Sequence, residues 1–204
     1  MDIHEILHER ILVLDGAMGT VLQSKELTAD DFGGPLYEGC NEYLNLTRPD
    51  VVQAIHTAYL EAGADIVLTN TFGGTRIVLA EYALQDQVHA INLAAARLAR
   101  EVAAAYSTGA KPRFVAGSLG PQTKTISVTG GITFDEVMTA FYTQVLGLLE
   151  GGVDLLLIET AQHPQSESHH AGGAARHAGD RPHRAGDDFW HYRGHGYDAG
   201  WAEH

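Results

Sequence analysis

The chain has 204 residues, a formal net charge of −13 at pH 7 and one cysteine, Cys40. This acidic balance argues against nucleic acid or an anionic membrane as the main partner, because both attract basic surfaces. One cysteine excludes an internal disulfide framework and is typical of a reducing cytosol. The sequence shows no secretory signal and no apolar run near the ~20 residues that span a bilayer. We therefore expect a soluble cytoplasmic protein.

Four short apolar segments are predicted to form strands. They cover residues 11–14, 64–68, 113–116 and 153–158. A predicted helix over residues 3–10 precedes the first strand, which ends at Asp15 in the motif DGAMGT. The last strand lies in GGVDLLLIET, an apolar run that is bounded by glycines and ends at Glu159. Such a run is typical of a strand buried on both faces in a parallel sheet.

Helical patterns separate these strands. The predicted helices cover residues 50–62, 76–106 in two pieces, and 133–150. The last helix begins with Thr133 and Glu136, which have the spacing of a capping box. Residues 24–49 form a long polar connection, and a connection of this length in a compact domain is more often functional than idle. Within it, Cys40 is expected to be a small packed residue rather than a nucleophile.

The alternation of strands and helices predicts a parallel sheet with right-handed crossovers. Two of the strands also repeat one template, since AGADIVLTNT at 62–71 and GGVDLLLIET at 151–160 share a glycine, an aspartate, an apolar run and a polar tip. This echo favours a (βα)₈ barrel over an open doubly wound sheet. The predicted fold class is therefore α/β, the N-terminal half of a (βα)₈ TIM-type barrel with about four βα units.

Polar side chains follow the carboxyl ends of the predicted strands. They are Asp15, Thr69, Asn70, Thr71, Ser118 and Glu159. In a barrel these ends converge on one mouth, where characterised barrel enzymes have their sites. Carboxylates there suit an ammonium group and backbone N–H groups suit a carboxylate, so the set fits a small zwitterion. Taken singly, each residue also fits an ordinary strand-end cap or turn.

Residues 1–162 show no metal-ligand spacing. Their histidines, His4, His8, His56 and His89, fall on predicted helices and are expected to be exposed to solvent. The motif GSLGPQ at 117–122 is similar to a phosphate-binding loop, but it lacks the P-loop lysine and the full GxGxxG pattern. A phosphate-binding barrel enzyme is therefore the weakest of the hypotheses.

Five motifs in order carry a family resemblance: LDGAMGT, GCNEYLNLTRPDVV, GADIVLTNTFGG, GSLGP and LLLIET. Over residues 5–162 or so, the chain resembles the homocysteine-binding domain of cobalamin-dependent methionine synthases, and more distantly betaine–homocysteine methyltransferases. The resemblance implies a (βα)₈ barrel that binds homocysteine, the methyl acceptor in methionine formation. It implies that Asp15, Gly16 and Glu159 contact the amino and carboxylate groups of homocysteine. It also places Asn70 and Thr71 beside a metal site.

The resemblance further implies cofactors. In this family, zinc held by three cysteine thiolates coordinates the homocysteine sulfur and makes a thiolate available at neutral pH. Cobalamin and methyltetrahydrofolate bind to separate modules that this chain lacks. The zinc cysteines belong to the second half of the barrel, and Cys40 matches a cysteine outside that set. We therefore expect a truncated half barrel without zinc ligands and with little or no methyltransferase activity.

Residues 163–204 differ in composition from the rest. They contain no Leu, Ile, Val, Met, Lys, Thr or Asn, but hold eight of the twelve histidines and both tryptophans, Trp190 and Trp201. One interpretation is a disordered His-rich tail that binds metal, which would make the chain a non-enzymatic metal-binding protein on an α/β body. A second is a plain disordered tail. A third is a segment translated out of frame.

We favour the out-of-frame interpretation of this segment. A one-base shift, with wobble bases chosen freely, yields an amphipathic helix, a strand and a Gly-rich loop that resemble the family's continuation. Both tryptophan codons then encode glycine at positions where that continuation has one. The predicted domains are thus a partial homocysteine-binding barrel at 1–162 and a low-order His/Gly/Ala-rich tail at 163–204.

Overall fold

The computed structural model describes residues 3–126 and 131–160, together with the backbone of residues 190 and 191. The helices are α1 (Ile3–Glu9), α2 (Met18–Gln23), α3 (Leu44–Thr47), α4 (Pro49–Ala62), α5 (Arg76–Leu79), α6 (Val88–Tyr106) and α7 (Phe134–Glu150). Two short 3-10 helices cover Asn41–Tyr43 and Ala80–Tyr82. The strands are β1 (Ile66–Leu68), β2 (Phe114–Leu119), β3 (Leu155–Ile158) and β4 (Trp190–His191).

The sheet has the order β1-β2-β3-β4, and its first three strands are parallel. Ile66 of β1 lies opposite Phe114 of β2, and Ala116 of β2 lies opposite Leu155 of β3. Helix α6 connects β1 to β2, and helix α7 connects β2 to β3. All six residues of β2 are buried, as expected for a strand between two neighbours with helices on its face. The predicted α/β class with a parallel sheet is confirmed.

The predicted strand at residues 11–14 is wrong in its extent. It forms a single parallel bridge, between Leu14 and Ile66, and not a ladder. Its backbone is still held beside β1, because Asp65 and Ile66 donate their N–H groups to the carbonyl of Val13 at 2.7 and 3.1 Å. Ile11 is 89% exposed, so the segment lacks the two buried faces of a central strand.

The polar connection at residues 24–49 contains more structure than the sequence predicted. Helix α3 and the 3-10 helix Asn41–Tyr43 lie within it, and helix α2 precedes it. Phe32 and Leu44 are buried in a cluster with Val52 and Ile55 of α4. The connection therefore packs against α4 through its few apolar residues, a contribution that its mainly polar composition concealed.

Helices α6 and α7 pack closely against each other. A Cβ atom at Gly147 of α7 would lie 2.9 Å from the carbonyl oxygen of His89 on α6, so glycine permits this approach.

The predicted capping box is present at the start of α7. The N–H of Thr133 donates to Glu136 Oε2 at 2.8 Å, and the N–H of Glu136 donates to Thr133 Oγ1 at 3.3 Å.

The histidine at position 56 differs from expectation. His56 is 0% exposed, although a solvated histidine was predicted there. It follows Ile55 on the face of α4 that turns toward the interior, where Val52 and Leu60 are also buried. Packing of this helix face therefore buries the ring.

Strand β4 is a two-residue element within the segment that was expected to lack order. It pairs antiparallel with β3, and His191 lies opposite Leu155. The remaining predictions for residues 163–204 fall outside the described residues.

Within the described part of the chain, no helix is both long and apolar enough to cross a membrane.

Candidate functional site

One cavity lies at the carboxyl ends of the parallel strands. Its volume is about 230 Å³, the size of a small metabolite site. All six predicted site residues line it: Asp15, Gly16, Asn70, Thr71, Ser118 and Glu159. The lining also includes Met18, Asn41, Glu42, Thr69 and Phe72. Parallel strands bring their carboxyl ends to one edge, which is why residues far apart in sequence meet here.

Asp15 is fixed against strand β1. Its two carboxylate oxygens accept the N–H of Leu68 at 3.0 and 3.1 Å, and its own N–H donates to the carbonyl of Ile66 at 3.0 Å. The pKa of Asp15 is raised to about 7, mainly by burial; the hydrogen bond from Leu68 lowers it and the negative charge of Glu159 raises it. A cation placed beside a carboxyl group with a raised pKa stabilises its ionised form.

Glu159 approaches the same cavity from strand β3. Its N–H donates to the carbonyl of Leu119 at 3.1 Å, which continues the pairing of β3 with β2. Its side chain accepts a hydrogen bond from the hydroxyl of Ser118, a residue that is 2% exposed. Ser118 therefore orients the carboxylate of Glu159 through one of its two oxygens.

Asn70 and Thr71 line the cavity, but other parts of the protein occupy their side chains. Asn70 donates its amide to the carbonyl of Asn41 at 2.7 Å. Thr71 donates its hydroxyl to the carbonyl of Ser118 at 2.8 Å, and its oxygen lies 2.6 Å from that of Thr69. The Thr71 bond joins the end of β1 to β2, and the Asn70 bond joins it to the 3-10 helix Asn41–Tyr43, so both residues shape the cavity wall.

Glu42 is one of the lining residues that sequence reasoning missed, together with Met18, Asn41 and Phe72. Its Oε1 accepts the N–H of Gly73 at 2.7 Å. The pKa of Glu42 is raised by burial, and the hydrogen bond from Gly73 opposes this increase only in part. Glu42 follows no predicted strand. Its place in the motif GCNEYLNLTRPDVV is the one sequence signal that could have pointed to it.

Gly16 contributes backbone to an open wall of the cavity. A Cβ atom at Gly16 would meet no heavy atom within 4 Å. The next residue, Ala17, has φ 46 and ψ 38, a left-handed conformation that starts helix α2. The segment from Gly16 to Gly19 therefore contributes two glycines, Ala17 and Met18 to the cavity wall, and no charged side chain.

The described residues do not fit the zinc site that the resemblance implies. Among residues 3–126 and 131–160, no group of three His, Cys, Asp or Glu side chains is placed to hold a metal ion. Cys40 is 1% exposed and packs with Leu79, Leu84 and Ile91. Burial raises its pKa to about 12, and the charge of Glu42 contributes, so Cys40 stays a thiol at neutral pH.

An acidic cavity at the carboxyl ends of parallel strands is the position in which α/β barrels bind small molecules. The sequence model of the homocysteine S-methyltransferase family matches residues 12–170. The chain belongs to this family, which confirms the resemblance of its motifs.

Similar sequences and structures agree with this membership. The chain is 47% identical over 161 residues to methionine synthase of Mycobacterium leprae and 44% identical over 161 residues to that of Mycobacterium tuberculosis. The match covers 79% of this chain and 13% of each relative, so the chain spans only a small part of their length. The oxidized homocysteine methyltransferase MmuM of Escherichia coli has a TM-score of 0.66 at 26% identity, over 81% of this chain and 58% of that one. Its metallated form gives 0.66 at 25% identity, over 82% and 60%.

Proposed function

We propose that the cavity binds L-homocysteine as the methyl acceptor in a methyl transfer that yields methionine. One observation carries this proposal above the others. Asp15 and Glu159 are far apart in sequence but line one cavity, Asp15 from the segment beside β1 and Glu159 from the end of β3, and Ser118 orients Glu159. Family membership supplies homocysteine as the amino acid.

The two carboxylates define where the ammonium group of the ligand lies. A cation between Asp15 and Glu159 relieves their mutual repulsion and replaces the water that burial removed from Asp15. The carboxylate of the ligand is repelled by the same groups. It therefore lies toward the segment from Gly16 to Gly19, which contributes no acidic side chain to the wall.

Zinc, when bound in this family, supplies a homocysteine thiolate at neutral pH. The chain has one cysteine, which is buried and protonated, so its residues do not offer three thiolates for that ion. We infer that this chain binds homocysteine without turning it over. Cobalamin, methyltetrahydrofolate and the modules that carry them are proposed only for a full-length protein of the methionine synthase type.

We further infer that residues 1–162 form the binding unit, half of a (βα)₈ barrel, and that residues 163–204 are translated out of frame. The break in composition supports this division, and the family match ends at residue 170, close to the break. A cytoplasmic location is proposed from the single reduced cysteine. The competing function is metal binding by the eight histidines of residues 163–204.

Calorimetric titration of the 204-residue chain with L-homocysteine tests the acceptor site. We expect saturable binding, and about a tenfold increase in Kd for Asp15→Asn and for Glu159→Gln, because each loses a charge-assisted contact. Glu38→Gln is the matched control, since Glu38 is an exposed carboxylate outside the cavity. Absence of binding by the wild-type chain, or equal Kd values for all variants, would overturn the proposal.

A second measurement addresses turnover. The purified chain is incubated with homocysteine, one equivalent of zinc and a methyl donor, and methionine is quantified. We expect no methionine above the protein-free control. Methionine formation that depends on the chain and on zinc would show that the chain does hold the ion, and would overturn the inference of binding without turnover.

A further inference from the structure

The segment after β1 forms a tight turn at the edge of the cavity. The N–H of Gly74 donates to the carbonyl of Thr71 at 2.9 Å, which closes a four-residue turn. Phe72 is the second residue of this turn, lines the cavity and is 43% exposed. The turn therefore presents an aromatic ring to the space where the proposed ligand lies.

Three side chains from different parts of the fold hold this turn. Glu42 accepts the N–H of Gly73 at 2.7 Å. Gln144 of α7 donates to the carbonyl of Thr71 at 2.7 Å, and Asn92 of α6 donates to the carbonyl of Gly74 at 2.7 Å. Gln144 and Asn92 are 0% exposed, so their bonds lie in a dry environment where losing one partner is costly.

Phe72 also contacts Gly120, the residue that follows β2. The N–H of Gly120 donates to the carbonyl of Phe72 at 3.1 Å. A Cβ atom at Gly120 would lie 2.5 Å from that carbonyl oxygen and 2.8 Å from ring atoms Cγ and Cδ2. The ring therefore lies directly on the backbone of Gly120, and its position depends on the turn that carries it.

Few large apolar side chains line the cavity. Eight of the fourteen lining residues have carboxylate, amide or hydroxyl side chains. The larger apolar side chains are Met18, Leu68 and Phe72, and Phe72 is the aromatic one among the three. An unbranched apolar side chain removes the most apolar surface from water when it packs on such an aromatic face.

We propose that Phe72 selects the side chain of the amino-acid ligand, and that Glu42 is a positioning residue that holds Phe72 through the N–H of Gly73. Phe72 favours an unbranched apolar chain, such as the two methylenes and sulfur of homocysteine, over a shorter one. This inference rests on the proposed function, because it takes the ligand to be an amino acid whose ammonium group lies at Asp15 and Glu159.

Selectivity between two amino acids tests the role of Phe72. L-homocysteine and L-alanine share the same ammonium and carboxylate groups, and differ in side-chain length. For Phe72→Ala in the 204-residue chain, we expect Kd for homocysteine to rise about tenfold, and Kd for alanine to change less than twofold. An equal change for both ligands, or no change for homocysteine, would overturn the assignment of Phe72.

Amide hydrogen exchange tests the role of Glu42 without any ligand. In Glu42→Ala the N–H of Gly73 loses its acceptor, so its exchange should speed up at least tenfold, and homocysteine selectivity should fall as in Phe72→Ala. Glu42→Gln keeps an acceptor oxygen and should rescue both readouts. If Glu42→Gln behaves as Glu42→Ala does, the charge rather than the hydrogen bond matters, and the positioning role is overturned. Glu38→Ala serves as the matched control.

The two proposals fail in distinguishable ways. A wild-type chain that binds neither amino acid would overturn the proposed function and the selectivity role of Phe72 together, while Gly73 exchange would still decide the role of Glu42. A wild-type chain that binds homocysteine, with selectivity unchanged in Phe72→Ala, would overturn this inference alone.

Discussion

Arg10 and Asp65 form a two-pronged ion pair across 55 residues of sequence, with N–O distances of 2.8 and 2.9 Å. Asp65 is 2% exposed and also accepts the N–H of Val13 at 2.9 Å. The hydrogen bond from Arg10 is the main cause that lowers the pKa of Asp65. The pair therefore fastens the segment after α1 to the start of β1, next to the residues that place Asp15.

Asp65→Asn should destabilise the fold, because the buried side chain at position 65 loses its charge-assisted hydrogen bonds to Arg10. We expect a loss of about 2 kcal/mol in the free energy of unfolding at pH 7, measured by urea denaturation. The depressed pKa means that Asp65 contributes stability above the ordinary aspartate pKa, and that this contribution is lost as pH falls through the folded-state value. The difference between the two proteins should therefore shrink in acid.

The control for Asp65 is an exposed ion pair. Asp50 pairs with Arg48 at 2.7 Å, and its side chain is 64% exposed. Solvent screens such a pair, so Asp50→Asn should leave the unfolding midpoint nearly unchanged. Equal effects of the two substitutions would contradict a special role for the buried pair.

His56 is a buried ring without a hydrogen-bond partner among the described residues. Neither ring nitrogen has a partner there, and burial lowers the pKa of His56 to about 4. The ring is therefore neutral in the fold but protonates in the unfolded chain below about 6.5. Because the unfolded chain binds more protons between these values, the contribution of His56 to stability should fall by about 3 kcal/mol as pH drops from 6.5 to 4.

His56→Leu should remove this acid sensitivity, since leucine has no nitrogen to protonate or to leave unpaired. We expect a gain of about 1 kcal/mol at pH 7 and a flatter pH profile of unfolding between pH 4 and 6.5. His89→Leu is the control, because His89 is exposed and hydrogen-bonded to Glu150. A profile for His56→Leu that still falls as in the wild type would show that another group causes the acid sensitivity.

The sequence was sufficient to predict that the strand-end residues meet, for a simple physical reason. Parallel strands place their carboxyl ends at one edge, so polar residues that follow strands converge whatever their separation in the chain. Asp15, Ser118 and Glu159 converge for this reason. The capping box at Thr133 was also predictable, because both partners lie within four residues.

Other features depend on tertiary packing, which a local pattern does not show. Glu42 enters the cavity only because the segment around it folds over the turn after β1. Asn70 and Thr71 were correctly placed at the cavity, but their side chains bond to backbone groups of distant segments. His56 is buried by the packing of its helix, and its sequence neighbours do not show which residues will cover it.

The binding of homocysteine should depend on the protonation of Asp15. Its pKa of about 7 in the free cavity means that the carboxyl is largely neutral in mild acid. A neutral Asp15 cannot form an ion pair with an ammonium group, so Kd should rise as pH falls below about 7, by about tenfold in total, the increase expected for Asp15→Asn. Titrations between pH 5.5 and 8 test this slope, and Asp15→Asn should abolish it.

The same proton affects stability in the opposite sense to Asp65. The folded chain holds the Asp15 proton more tightly than the unfolded chain, so Asp15 lowers the free energy of unfolding as pH rises from about 4 to about 7. Homocysteine should offset this loss by supplying a positive charge. Ligand-induced thermal shifts that are equal at pH 5.5 and pH 8 would contradict this account.

Cys40 should be unreactive in the folded chain. Its pKa is raised to about 12, so the thiolate fraction at pH 8 is about a thousandfold below that of an ordinary cysteine. We expect alkylation by iodoacetamide to be at least a hundredfold slower in buffer than in denaturant, as measured by mass spectrometry. Because Cys40 is the one cysteine of the chain, each labelling event reports this site. Rapid labelling of the folded chain would instead indicate an activated thiolate.

The coding sequence should explain residues 163–204. Their composition lacks the aliphatic residues that the preceding strands and helices use, and a one-base shift supplies an amphipathic helix, a strand and a glycine-rich loop. We therefore expect that DNA sequencing from about codon 158 onward will find an insertion or deletion of one base relative to an open frame that continues the family and contains its later cysteines. An intact frame that stops after His204 would contradict this. If the frame is intact and the segment binds metal through its histidines, removal of residues 163–204 should abolish zinc or nickel binding.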